Sequence, residues 1–391
     1  MRALPPALAT VDVPRLLSPS ALGAAGGCAL RLVVASAGVR VERLPSGPEA
    51  FVGILVHRVL EHWARGQGSE DPLTLFDVEY AQLRAELQQD PTRRHFADLV
   101  STEGPQAWAR LRSWVGERCR HVERRIPRKQ PAAVGQGVPG GVPLGPERPL
   151  SSDDLRLGGQ ADRIRKVGSH AYEVRDFKSG TVLDDAGEVK AAIQLQLRAY
   201  GLIVLDLDPM ASVRLVVDDG DERDVAFDAA AQVQAREEVL RIVERVPPPG
   251  AVEAKRLATP GAGCLGCSIR HVCLAYREAA PTWWRSYPGD VERVPDDIWG
   301  TTIEVIPQRD ASSVDMLLTD AAGRRVRVDA LDGRHGARRF PAGSRVWLFG
   351  LQATGRSRGY DGKRFHPRVF HELPRDALER RAWSALVLEE P

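Results

Sequence analysis

The alternation of apolar and polar positions divides the chain into four zones. Residues 15 to 125 carry apolar positions at helical spacing, which predicts a mostly helical region. Ser18-Pro19-Ser20 reads as an N-cap with proline at the first helical position, leading through Ala21 and Leu22 towards Cys28. A second helix is predicted over Phe51 to Arg65 and a longer helical stretch from Leu73 to Arg125. Residues 128–150, rich in proline and glycine, have no periodicity and read as a loop or strand connection. From Leu155 to about Val217 the pattern turns to strands, with LRLGGQADRIRKV and HAYEVRDFKSG forming a hairpin about Gly168-Ser169. A helix from Val189 to Val204, a strand at VRLVV and the helix AAQVQAREEVLRIVERV follow.

The fourth zone, about Val294 to Leu373, alternates like a small all-β unit. Strands are predicted near TTIEVI, VDMLLTD, RRVRVDAL, SRVWLFGLQ and RFHPRVFHEL, with turns at Ala322-Gly323 and Asp361-Gly362 and an irregular GRHGARRF between the third and fourth. Five strands interrupted after the third suit an OB-like barrel, a fold whose face binds single-stranded nucleic acid through aromatics and arginines. Trp347, Phe349, Arg356, Arg358, Tyr360, Lys363 and Arg364 supply those residue types, although the same aromatics would also serve as core. Residues 374–391 read as a tail or helix.

With 391 residues, 43% hydrophobic and 27% charged, the chain can bury a substantial core in two or three domains. A net charge of +2 excludes a global basic field, so nucleic-acid binding requires local patches. No run of about 18 apolar residues predicts a membrane span, and the first residues lack a secretory pattern, so a cytoplasmic location is expected. Only 6 lysines accompany 48 arginines, which draws attention to any lysine inside a motif.

One such lysine is Lys178. Gly159-Gln160-Ala161-Asp162 and Asp176-Phe177-Lys178 end adjacent predicted strands, and alternation puts Asp176 and Lys178 on one face. Two carboxylates and a lysine at a sheet edge suit Mg²⁺ or Mn²⁺: the carboxylates hold the ion, and the lysine orients or deprotonates a water and offsets charge developing on a phosphate. Gly53-x3-His57-x3-Glu61 adds a histidine to a buried helix, and that nitrogen ligand would tilt the preference towards Mn²⁺. Gln196-x3-Tyr200 has helical spacing and can turn two polar tips into the same pocket. Each motif alone is also compatible with an ordinary hairpin or amphipathic helix.

The cysteines are split between Cys28 and the trio Cys264-x2-Cys267-x5-Cys273, unlike a zinc ribbon, whose pairs lie roughly 12 to 20 residues apart. Two arrangements stay open: a metal clasp formed by all four, or a zinc site of the trio with His271 that leaves Cys28 out. Cys119 belongs to no motif and is expected to be a buried helix residue.

Together, Gly53-x3-His57, Gly159-x2-Asp162, Asp176-x-Lys178, Gln196-x3-Tyr200 and the framing cysteines resemble the RecB-like branch of the PD-(D/E)xK nucleases, in particular its iron-sulfur members such as the AddB nuclease domain and CRISPR adaptation nucleases. The start Ser18-Pro19-Ser20-x7-Cys28 also matches. The resemblance covers about residues 15 to 280 and implies an α/β, restriction-endonuclease-like core with N-terminal helices, followed by the small all-β domain over 294–373. It implies that His57, Asp162 and Asp176 bind metal, that Lys178 is catalytic, and that Gln196 and Tyr200 order the pocket or face DNA. It also implies a [4Fe-4S] cluster on Cys28, Cys264, Cys267 and Cys273. Glu147 matches an acidic residue upstream of the second motif. The expected activity is metal-dependent DNA cleavage, exonucleolytic or end-processing and single-strand preferring, in repair or defence. No G-x4-G-K-[S/T] is present, so a free-standing nuclease, or one that meets a helicase or another partner in trans, is expected rather than a complete unwinding machine. A non-catalytic DNA-end-binding or scaffolding subunit is the alternative.

Overall fold

In the computed structural model, described residues are 3–25, 27–38, 41, 43–44, 48–69, 71–89, 97, 105–125, 141–178, 182–264, 266–283, 297–307, 313–319, 323, 325–332, 341–349, 352–353, 378–381 and 386–389. They fall into two units: 10–41 with 46–253, and 1–9 with 42–45 and 254–391.

The first of these opens with β1 (Thr10–Val13), α1 (Pro19–Ala24) and α2 (Ala29–Ser36), followed by α3 (Pro48–Ala64), α4 (Pro72–Gln89) and α5 (Pro105–Arg125). Ser18 is the N-cap of α1 and proline stands in its first turn, as the sequence predicts. The single helical stretch expected over residues 73–125 is two helices among the described residues. Helices α3, α4 and α5 bury Phe51, Leu55, Val59, Trp63, Phe76 and Val115 in one cluster that also receives Phe177. Each such side chain contributes about 1.5–3 kcal/mol when taken from water, so Phe177 anchors the strand end beside the candidate chemistry. Cys119 is fully buried in the same cluster.

Strands β2 (Gly145–Ser152), β3 (Leu157–Lys166), β4 (Ala171–Phe177), β5 (Ser212–Asp218) and β6 (Glu222–Val225) form a sheet in that order. All neighbours are antiparallel except β4 and β5. A parallel pair needs a long crossover, which α6 (Ala191–Leu207) supplies before α7 (Ala229–Val243). The unit closes where β7 (Gly250–Glu253) pairs with β1. Strand β2 occupies the segment read as a loop or strand connection. It is an edge strand, the one place where Pro146 and Pro149 do not break a ladder on both sides.

The other unit carries α8 (Ala254–Leu257), two 3₁₀ turns at Ala262–Cys264 and Arg270–Val272, and α9 (Leu274–Trp283). The Leu8 N–H binds the Val272 carbonyl and the Leu44 N–H that of Ser268, tying two distant segments to the cysteine loop. Strands β8 (Ile298–Pro307), β9 (Ser313–Thr319), β10 (Arg325–Asp332), β11 (Arg345–Phe349), β12 (Gln352–Ala353), β13 (Leu378–Arg381) and β14 (Leu386–Glu389) form a sheet in the order β12-β13-β10-β9-β8-β11-β14. The first four expected strands are present. RFHPRVFHEL, GRHGARRF and the Asp361-Gly362 turn lie outside the described residues. The tail or helix expected over 374–391 instead provides β13 and β14, because β10 and β11 offer it free edges. No helix among the described residues is long and apolar enough to cross a membrane.

Candidate active site

The β3–β4 ladder ends at Arg163 opposite Arg175. Beyond it the Asp162 carboxylate replaces a strand partner, its Oδ2 accepting the Phe177 N–H at 2.6 Å. On the other side of β4, the Lys178 N–H donates to the Asp218 carbonyl at 3.0 Å. Both flanks of the Asp176-Phe177-Lys178 backbone are thereby fixed.

Glycines let β3 approach its neighbours. A Cβ on Gly158 would lie 2.8 Å from Leu16 Cδ1, and one on Gly159 would lie 3.0 Å from both Pro19 Cδ and the Tyr200 hydroxyl. That hydroxyl, on a side chain 2% exposed, donates to the Gln160 carbonyl at 2.8 Å. Tyr200 thus holds the strand leading to Asp162.

Gln196 takes a different part. Its Nε2 donates to Asp176 Oδ1 at 2.9 Å while its Oε1 accepts from Lys178 Nζ at 3.4 Å. Lys178 Nζ also donates to Asp176 Oδ1 at 3.1 Å. Asp176 Oδ2, a buried oxygen, lies 2.9 Å from that ammonium in an ion pair and accepts no other hydrogen bond among the described residues. Burial pushes the Asp176 carboxyl up from its ordinary value, with Lys178, His57 and Gln196 opposing.

His57, on α3, comes up to the backbone of Phe177, which favours its charged form. Burial and then the Lys178 charge hold its imidazole below the ordinary value, against Asp176, so the ring is neutral at neutral pH and carries a nitrogen lone pair. Glu61, one turn on, pairs with Arg65 at 2.7 Å. His57, Asp162, Asp176, Lys178, Gln196 and Tyr200 all line one cleft of ≈ 980 Å³. Yet among the described residues no three His, Cys, Asp or Glu side chains are gathered as a metal-binding group. Asp162 is instead bonded to Phe177 and Asp176 to Lys178. Glu147 sits on β2 between residues paired with Arg163 and Ala161, hence opposite Asp162 in register.

Two further residues, which no motif marks, support the site. Arg118 on α5 donates to the Asp218 carboxylate at 2.7 Å and to its carbonyl at 2.8 Å. The only hint in the sequence is an acid ending an apolar strand, VRLVVD.

The family model of the PD-(D/E)XK nuclease superfamily matches residues 16–274, the span that contains this cleft. The chain belongs to that superfamily. Membership implies nuclease activity, a nucleic-acid substrate and divalent-metal chemistry. No curated protein matches the chain. Among solved structures it is similar to a “Putative exonuclease” from Eubacterium rectale, at 12% identity over 60% of this chain and 84% of that one, with a TM-score of 0.34. That likeness is too distant to add to the argument.

The remaining predicted residues lie elsewhere. Cys28 is the N-cap residue of α2 in one unit, Cys264, Cys267 and Cys273 are buried in the loop of the other, and among the described residues these cysteines are not gathered as a metal-binding group. His271 is fully buried in that loop. Trp347 and Phe349 are core residues, 4% and 2% exposed and stacked on each other at 5.5 Å, so neither offers a ring face to a base. Val346 and Leu348 are buried as well, so both faces of β11 are covered and the two rings serve as core. Arg356, Arg358, Tyr360, Lys363 and Arg364 lie outside the described residues.

Proposed function

We propose that the chain is a Mg²⁺- or Mn²⁺-dependent deoxyribonuclease of the RecB-like type, acting on single-stranded or free-ended DNA. The observation that carries this reading is the convergence of His57, Asp162, Asp176, Lys178, Gln196 and Tyr200 on one cleft inside the family-matched span, with the buried Asp176 Oδ2 already held 2.9 Å from one cation, the Lys178 ammonium. Such an oxygen suits a cation. Neutral His57 suits one also, and Asp162 becomes available once its carboxylate leaves the Phe177 N–H.

A divalent ion bound there supplies Lewis-acid polarisation of the scissile phosphate. His57, Asp162 and Asp176 would hold it. Lys178 Nζ, fixed by Asp176 and Gln196, orients the attacking water and donates N–H to the phosphate oxygen that gains charge. Gln196 keeps the lysine from swinging away, and Tyr200 keeps β3 in place through the Gln160 carbonyl. In-line attack then leaves a 5′-phosphate and a 3′-hydroxyl.

Two parts of this reading are finer. Cysteine spacing, as in the iron-sulfur nucleases that the sequence resembles, supports a [4Fe-4S] cluster on Cys28, Cys264, Cys267 and Cys273 that stabilises the fold rather than reacting. Arg356, Arg358, Tyr360, Lys363 and Arg364 are proposed to retain single-stranded DNA on an OB-like C-terminal region, with a repair or defence helicase as partner. Digestion of end-labelled single- and double-stranded DNA, with and without Mn²⁺, tests the activity. Labelled fragments that appear only with metal support it, and intact DNA in both contradicts it.

A further inference from the structure

One face of the five-stranded sheet is a lattice of ionised side chains. Glu173, 1% exposed, meets Arg165 at 2.7 Å, Arg175 at 3.0 Å and Arg214 at 3.0 Å. Asp218 takes Arg118 and Arg175, Glu222 takes Arg175, and Asp224 takes Arg214. Among the described residues, each of these carboxylates is committed, and most of the arginines are too.

Two arginines are left over. Arg163 on β3 stands directly opposite Arg175, an arrangement of like charges that disfavours the pairing of strands. Its Nε is buried and makes no hydrogen bond. Burial, then Arg165 and Arg175, push its guanidinium down to about 10, with Glu173 the one carboxylate opposing them. Arg148 on β2 pairs with Ala161, two residues from Arg163 and therefore on the same face. It is exposed, and no ion pair or hydrogen bond reaches it among the described residues.

The place of these two matters. Strand β2 is the edge of the sheet, and residues of both strands line the cleft: Pro149, Leu150 and Ser151 on β2 and Gly158, Gly159, Gln160 and Asp162 on β3, with Asp162 facing it beside Asp176. The side chains of Arg148 and Arg163 have the opposite parity to Asp162, so they leave the sheet on the face away from that carboxylate. The edge is therefore a lip, with the candidate chemistry on one side and, on the other, two guanidinium groups that no carboxylate among the described residues pairs.

We propose that Arg148 and Arg163 bind backbone phosphates of a nucleic-acid strand where it leaves the cleft over the β2 edge. The occupant is a polyanion, because an isolated pair of unmatched cations gains most from phosphate oxygens, which a guanidinium grips with paired N–H donors. The proposal rests on the nuclease reading of the cleft. A strand long enough to cross the lip would place successive phosphates against successive arginines, whereas one confined to the cleft would meet neither.

The test uses the full chain in chelator, so that DNA is bound but not cut. Fluorescence anisotropy compares a short labelled single strand that fills only the cleft with one several times longer, across a salt series. For the long strand, the Arg148→Gln/Arg163→Gln double variant should lower the steepness of log K against log salt by about 1.4, the value for two lost phosphate contacts on single-stranded nucleic acid. The short strand should keep its slope. Thermal melting accompanies the series, and Arg163→Gln should melt no lower than the parent because it removes an unmatched, half-buried charge.

An unchanged slope for the long strand overturns the proposal. So does an equal loss for both lengths, or a lowered melting point for Arg163→Gln, which would make these arginines parts of the fold. Failure of the parent to cleave any DNA with Mn²⁺ would sink the nuclease reading separately, and the binding comparison would still decide whether the lip holds phosphate.

Discussion

Arg118 grips Asp218 twice, at the carboxylate and at the same carbonyl oxygen that accepts the Lys178 N–H. A buried pair on the reverse of the sheet thus fixes the backbone of the candidate catalytic lysine. Both partners are nearly inaccessible, at 6% and 3% side-chain exposure.

Removing one partner of a buried ion pair costs about 3–5 kcal/mol, because the other charge is left desolvated. Arg175 also reaches Asp218, so the lower end of that range is expected for Arg118→Ala. Urea unfolding should show a loss of about 3 kcal/mol, and cleavage should fall even where the variant is fully folded. Arg118→Lys should recover part of both. A stable variant with normal activity would show that the strand end needs no such support.

The contact of Gly159 with Tyr200 predicts a coupling. Gly159→Ala places a methyl 3.0 Å from the Tyr200 hydroxyl and should destabilise by about 1–3 kcal/mol, as overpacking does. Tyr200→Phe removes the bond to the Gln160 carbonyl and should cost about 1 kcal/mol alone. In the Gly159→Ala background it should cost less, since it also relieves the clash. Additive effects in the double-mutant cycle would deny the contact.

Acid stability follows from Glu173. Burial raises its carboxyl, but hydrogen bonds and charge from Arg165 and Arg175 outweigh burial and hold it below the ordinary carboxylate value. A carboxylate depressed on folding stabilises the protein above its unfolded pKa, and the contribution is lost as pH falls through the folded value. Stability should therefore decline on acidification below ~pH 5. Glu173→Gln should be less stable at neutral pH and show a flatter acid limb. An acid limb of unchanged slope would place the titration elsewhere.

Metal analysis separates the two cysteine readings. Anaerobically purified protein should be brown, with iron and sulfide, and Cys28→Ala should lose both along with stability. A colourless protein with stoichiometric zinc, retained in Cys28→Ala, would favour the site built from Cys264, Cys267, His271 and Cys273.

The sequence made the β3–β4 hairpin and α6 legible because alternation and helical spacing are local signals, and it placed His57, Asp162, Asp176, Lys178, Gln196 and Tyr200 on elements that meet in one cleft. Strand β2 was hidden by its prolines, which only an edge position tolerates. β13 and β14 depend on partners found far back in the chain. Trp347 and Phe349 show the limit of composition, since a stacking platform and a core use the same rings. The Arg118–Asp218 clamp joins residues separated by 100 positions and leaves no periodic trace.

Divalent-dependent cleavage by two variants at the Asp176–Lys178 pair tests the central claim most directly. Asp176→Ala and Lys178→Ala, each shown by circular dichroism to be folded, should both fail to digest end-labelled single-stranded DNA in Mn²⁺ that the parent degrades. Undiminished cleavage by both folded variants would contradict the assignment of this cleft as the nuclease site.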